Sequence, residues 1–360
     1  MSSTAPPWAV VTDESELCTH ATRPSRSVTG VPPLSPLQFR ADPAADLDRV
    51  EATLRDFARA DDEFLTEIAT HLIPAGGKRL RPSFVIAAAL VGAEDPLADE
   101  AMSSEIVKAA VSVELVHLGS LYHDDVMDDA ATRRHLESVN HRWGNLRAIL
   151  AGDLLLARAS EVAASLGTEV AALLASTIAR LCEGQVRELQ RIYDTTRSED
   201  AYLLAIEGKT AALYATSCRI GALVGGLDRE EVDLLTEFGQ LYGMAFQIVD
   251  DVLDLVSTEE QLGKPAGNDL REGVYTLPVI RELARDPDGE LASLLGQVLD
   301  DDQRQRARDL VLRGGRVADT IDVALAYTDQ ALGVLGSMEA SPAVEGMRAA
   351  AKNLLVSLPN

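Results

Sequence analysis

From Leu47 onward, apolar side chains recur at close to helical spacing. Leu54, Phe57, Phe64, Leu65, Ile68 and Leu72 fall near one face, and Pro74 ends the run because it has no amide proton to donate. The same period predicts an apolar helix over 83–91, a longer one over 98–129, another beginning near Gly144, and two Ala-rich ones over 169–190 and 199–225. Residues 231–256 repeat the pattern, and 279–358 read as shorter amphipathic helices whose work is packing. No strand run is bounded by hairpin signals, nothing repeats at roughly 20–50 residues, and no shift of composition divides the chain. The pattern therefore predicts one all-α domain over 43–360. Ahead of it, residues 1–42 hold Pro6, Pro7, Pro24, Pro32, Pro33 and Pro36 without a sustained period, which predicts a disordered tail.

Composition agrees with helices. Of the 360 residues, 46% are hydrophobic but only 4% aromatic, and strands draw on aromatic and β-branched residues. A formal net charge of −24 argues against nucleic acid as the main partner, since phosphate backbones need a basic surface. Cys18, Cys182 and Cys218 show no CxxC spacing and no zinc pattern, as expected of a reduced, cytoplasmic protein. Uncharged runs fall short of the ~20 residues of a membrane helix, and no basic segment precedes an apolar one at the N-terminus.

The chemistry concentrates in HDDVMDDAATRR, His123 to Arg134. On a helix Asp124 and Asp128 share a face and repel one another, so a compensating cation is expected. Carboxylates without thiols or imidazoles suit a hard ion that keeps several waters, Mg²⁺ in preference to Zn²⁺. One DDxxD alone reads first as a solvated acidic helix end. A second, Asp250, Asp251 and Asp254 in FQIVDDVLD, makes two acidic faces that can meet across one cavity, bind several divalent ions and attract a diphosphate. In AGGKRLRP, Lys78, Arg79 and Arg81 form a basic knot on a glycine-hinged turn, either solvated or anion-binding. His117 stands two helical turns before Asp124, as a core residue or a ligand.

GGKRLRP, HDDVMDDAATRR, the GKT of Gly208 to Thr210, FQIVDDVLD and GKPAGNDLREG followed by TLP together resemble the trans-prenyltransferases, or isoprenyl diphosphate synthases, over nearly the whole chain. ELVHLGSLYHDDVMD, RWGN and REGV are most similar to actinobacterial polyprenyl diphosphate synthases. The resemblance implies antiparallel helices around a deep central cavity, and a dimer. It also implies that Asp124, Asp128 and Asp250 ligate Mg²⁺, three ions with substrate bound, while Asp125, Asp251, Asp254 and Asp269 orient waters or neighbouring groups. Arg133, Lys209 and Lys264 would grip an allylic diphosphate, with Thr210 and Gln247 beside it. Lys78, Arg81, His117 and Arg134 would bind the diphosphate of isopentenyl diphosphate. The implied reaction ionises the allylic C–O bond, adds the isopentenyl double bond to the carbocation and loses a proton.

Two positions depart from that family. Val274 stands where many relatives carry lysine, and His135 stands where glycine commonly follows the paired arginines. Below Asp124 lie Ser120, Gly119, Val116 and Val113. None is aromatic, so a growing chain is expected to pass. The expectation is a C30 to C50 product for a quinone tail, with geranylgeranyl diphosphate as the alternative. A class I terpene cyclase would lack the second DDxxD and have no use for the basic knot. A non-catalytic subunit of a heteromeric synthase would not need intact aspartates and lysines.

Overall fold

The structure is a computed structural model and describes residues 35–97, 102–258, 266–356 and 358. The chain opens with α1 (Pro43–Phe57) and α2 (Glu63–Thr70). Asp42 and Asp62 cap them by accepting hydrogen bonds from the amides of Ala45 and Leu65. The run expected from Leu47 to Pro74 is thus two helices, because a capping aspartate interrupts it. Next come α3 (Leu80–Ala89), α4 (Ser104–Met127), a hairpin of β1 (Thr132–Arg133) and β2 (Leu136–Glu137), α5 (Val139–Trp143), α6 (Asn145–Ser165) and α7 (Thr168–Leu189). Gly144, at φ +88°, separates α5 from α6. The helix expected over 199–225 is α8 (Glu199–Ile206), a π-helical turn (Glu207–Ala211) and α9 (Ala212–Val224). α10 (Arg229–Val256) precedes α11 (Asn268–Glu272), α12 (Leu277–Arg285), α13 (Glu290–Leu294), α14 (Asp301–Gly314), α15 (Arg316–Gly336) and α16 (Pro342–Val356). The last third is therefore not made only of short helices, since α15 runs for 21 residues along α10.

α4 and α10 position the site. α4 is apolar on nearly every face and is enclosed by α1, α3, α6 and α9. α10 begins at a capping box, in which Asp228 accepts from Glu231 N–H and the Glu231 side chain accepts from Asp228 N–H. α9 touches both, which sets the aspartate-bearing ends of α4 and α10 on one cavity. The sparse aromatics gather here: Phe84, Tyr214, Phe238 and Tyr242 meet edge to face or tilted, with ring centroids 4.5–6.1 Å apart.

Residues 1–34 of the expected tail lie outside the described residues. Residues 35–42 are described, and there Leu37 is buried against the Phe84 and Tyr214 group. The packed chain thus begins ahead of the expected boundary at 43, because Leu37 removes apolar surface from water at little loop cost. Among the described residues no helix is long and apolar enough to cross a membrane.

Candidate active site

A cavity of about 600 Å³ opens between these elements. α4 contributes Glu114, His117, Ser120, Leu121 and Asp124 to it, and its C-cap residue Asp128 continues the same face, read at intervals of three and four. Burial, with the charge of Asp128 added against the pull of Lys209, raises the Asp124 carboxyl to about 6. Asp125 turns off that face. It is buried and accepts from Arg133 Nε at 2.7 Å and Nη2 at 2.6 Å.

The basic knot resolves into separate roles. Arg79 sits in the left-handed region at φ 44° and points inward to Glu51 at 2.5 Å and Glu114 at 2.6 Å. It is a buried structural cation, which corrects its expected place among the anion binders: two carboxylates already neutralise it. Lys78 and Arg81 line the cavity. The Arg81 guanidinium lies 4.6 Å from the Tyr214 ring centroid, and its buried Nε has no hydrogen-bond partner. Arg134 reaches the same corner, donating to the Gly76 carbonyl and to His117 Nε2 at 3.3 Å. Arginine can only donate, so His117 accepts there and is neutral. Burial and the nearby Arg81 and Arg134 charges hold its pKa well below the usual value. Arg134 and His135 are the two central residues of the hairpin turn, both at positive φ, 52° and 66°.

Across the cavity, the π-helical turn presents Lys209 and Thr210 together. It can do so because Gly208 lies against Gly184 of α7. A Cβ on Gly208 would stand 2.9 Å from the Arg180 carbonyl oxygen and 3.0 Å from Gly184 Cα. Lys209 ion-pairs with Glu188. Thr210 donates to Gln247 Oε1 at 2.8 Å, Gln247 donates to Asp251 Oδ1 at 2.7 Å, and Tyr202 donates to Asp251 Oδ2 at 2.6 Å. Burial raises the Asp251 carboxyl, opposed by those two donors. Asp250 is exposed and lines the cavity, and the buried Asp251 and half-buried Asp269 and Val274 line it too. Asp254 is buried and lies off the cavity: its Oδ2 accepts from the Asp269 amide at 3.3 Å and its carbonyl from the Gly267 amide at 2.8 Å.

Four of the six motif aspartates, Asp124, Asp128, Asp250 and Asp251, thus line the cavity. Asp125 and Asp254 serve Arg133 and the 266–269 loop instead. Lys264 lies outside the described residues. Gly119 does not face the cavity either. A Cβ there would meet the Gly152 carbonyl oxygen and Leu156 Cγ of α6, each at 3.1 Å, and Val113 and Val116 are fully buried in the core. Of the positions expected beneath Asp124, Ser120 alone is among the cavity-lining residues. Glu188, Arg197 and Tyr202 line the cavity without having been singled out from sequence. Tyr202 stands seven residues before Lys209, two helical turns, and that spacing was the available signal.

The donors fit a hard divalent ion. Asp124, Asp128 and Asp250 offer carboxylate oxygens to the cavity, with no thiol among its lining residues. Among the described residues no three acidic, histidine or cysteine side chains converge enough to hold an ion by themselves. Carboxylate oxygens of this kind suit Mg²⁺, which keeps waters and shares phosphate oxygens.

Residues 62–311 match the family model described as polyprenyl synthetase. The chain is 39% identical over 331 residues to a nonaprenyl diphosphate synthase of Mycobacterium tuberculosis, covering 91% of this chain and 96% of that one. It is 38% identical over 294 residues to a heptaprenyl diphosphate synthase component 2 of Geobacillus stearothermophilus, covering 81% and 90%. Among solved structures, a polyprenyl synthase from Caulobacter crescentus, complexed with calcium and isoprenyl diphosphate, superposes with a TM-score of 0.82 at 34% identity, covering 89% of this chain and 97% of that one.

Proposed function

This chain belongs to the polyprenyl synthetase family and is a prenyltransferase, and from that premise we propose how its cavity divides the work. It joins isopentenyl diphosphate to an allylic diphosphate and releases a medium- or long-chain all-trans polyprenyl diphosphate, C30 to C50, that serves as a quinone side-chain precursor in the cytoplasm. One observation carries this reading. A basic corner of Lys78, Arg81, His117 and Arg134 faces the carboxylates Asp124, Asp128 and Asp250 across one cavity. Two diphosphates of different handling fit such a space, one held by cations of the chain and one held through metal.

Asp124, Asp128 and Asp250 would hold Mg²⁺, which when bound would supply electrostatic stabilisation to a diphosphate leaving group. Lys209, fixed by Glu188, adds a positive charge beside the same diphosphate. Gln247 and Tyr202 keep Asp251 in place. Neutral His117 and the guanidinium of Arg81 orient the second diphosphate, and Arg81 is anchored on the Tyr214 face. Leu121, Ile206, Tyr214 and Phe246 give the cavity an apolar wall that excludes water from a carbocation.

A homodimer is proposed through α6 and α7, where Leu146 (80% exposed), Leu150, Val186 and Leu189 leave apolar surface uncovered. Incubation with radiolabelled isopentenyl diphosphate, an allylic primer and Mg²⁺ tests the function. Linear products lengthening in five-carbon steps support it. Cyclic hydrocarbons would indicate a cyclase, and no product without an added protein would indicate a subunit.

A further inference from the structure

The turn before α8 places Arg197 in the cavity wall. Its side chain is 4% exposed. Nη1 donates to the Tyr275 carbonyl at 3.1 Å, and the guanidinium lies 5.5 Å from the Tyr202 ring centroid. Nε and Nη2 are buried with no hydrogen-bond partner. A buried donor without an acceptor costs about 1–3 kcal/mol, and more when it is charged. In a cavity wall, a ligand, a water or an ion can complete such a group.

The surroundings indicate what that ligand is. Arg133 and Lys209, the other described cations on this side, are paired with Asp125 and Glu188, and Arg79 with Glu51 and Glu114. No cation comes from position 274, which is valine and adjoins the Tyr275 carbonyl that holds Arg197. Arg197 thus brings to the aspartate side of the cavity a planar fork of donors, already oriented and with two nitrogens unused. That geometry matches the oxygens of a phosphate.

We propose that Arg197 is a substrate-contacting residue whose Nε and Nη2 donate to the diphosphate held on the aspartate side, from the wall that Val274 leaves without charge. The bond to Tyr275 aims the fork, and the ring of Tyr202 supports its plane. No bond is made or broken by Arg197. It binds the diphosphate and stabilises the charge that grows on it as the C–O bond breaks. The inference rests on the reading of the cavity as a diphosphate site.

Full-length wild type, Arg197→Gln and Arg197→Lys are compared by calorimetric titration with inorganic pyrophosphate in Mg²⁺, and by steady-state kinetics. Arg197→Gln is expected to weaken pyrophosphate at least tenfold and raise the KM of the allylic substrate, with the KM of isopentenyl diphosphate within twofold of wild type. Arg197→Lys is expected to recover part of the loss. Unchanged pyrophosphate affinity in Arg197→Gln, whether or not it melts at a lower temperature, overturns the inference and leaves Arg197 as a pin for its loop. If Arg197→Gln does not fold, Arg197→Lys decides: it lacks the fork, so an allylic KM equal to wild type overturns the inference. A wild-type chain that makes no prenyl product at all overturns the underlying reading instead.

Discussion

At the scale of single residues, the cations of the cavity differ in what already neutralises them. Arg81 has a buried nitrogen with no acceptor, whereas Lys209 already has Glu188. Arg81→Ala should raise the KM for isopentenyl diphosphate about tenfold or more with little change in the allylic KM, the effect of removing a single charge-assisted hydrogen bond. Lys209→Ala should lower kcat and kcat/KM for the allylic substrate. Steady-state kinetics with each substrate varied in turn would show an error if both variants weaken the same one. Asp124 gives a pH prediction. Its folded pKa of about 6 lies above the ordinary 3.8, so between those values the folded state binds more protons than the unfolded chain. Its contribution is lost as pH rises from about 4 to 6. In EDTA the melting temperature of wild type should therefore fall across that window by a few °C more than that of Asp124→Asn. Equal slopes in the two melts would contradict the account. Residue identity was the most legible layer of this sequence, because DDxxD, GKT and GGKRLRP advertise charge in apolar surroundings. Arg79 misled because composition shows a charge but not the Glu51 and Glu114 that neutralise it. Arg197 and Glu188 were silent because single charges, one in a turn and one in a helix, look solvated until the fold turns them inward.

At the scale of elements, two departures from regular helix and turn do the positioning. The π-helical turn at Glu207–Ala211 breaks a periodicity that sequence reads as continuous, since it changes the hydrogen-bond ladder and not the residue types. It is what brings Lys209 and Thr210 to one face. The hairpin at Thr132 to Glu137 holds Arg134 and His135 at positive φ, a conformation that costs most residues about 1–2 kcal/mol and glycine almost nothing. His135→Gly should raise stability by roughly 1 kcal/mol in denaturant melts, a gain reduced by the larger entropy of glycine in the unfolded chain. A loss of stability would mean that His135 makes contacts which outweigh the strain. The α4 face makes a prediction about product. Ser120 lines the cavity and Gly119 packs on Gly152. Ser120→Phe should shorten the product, seen by chain-length analysis, and Gly119→Ala should mainly lower stability, by about 1–3 kcal/mol through overpacking against α6. The product staying the same length in Ser120→Phe would place the growing chain elsewhere. Helix spacing alone could not distinguish these neighbours, 100° apart on the wheel, without knowing where α6 lies.

At the scale of the molecule, the all-α architecture and the meeting of two distant acidic helices were legible from period and motif, because both depend on patterns spread over many residues. The cavity's polarity was not. It comes from the way α9 spaces α4 from α10 and from which charges find partners across the fold. In the proposed function one cavity holds two diphosphates by different means, through cations at one end and through carboxylate-held metal at the other. Titration of the full-length chain with a non-reactive allylic thiolodiphosphate and with isopentenyl diphosphate, each in EDTA and in Mg²⁺, tests this most directly. The allylic analogue should bind only with Mg²⁺, and isopentenyl diphosphate should then bind beside it with one molecule of each per chain. Allylic binding that is equally tight in EDTA, or displacement of one ligand by the other, would contradict it.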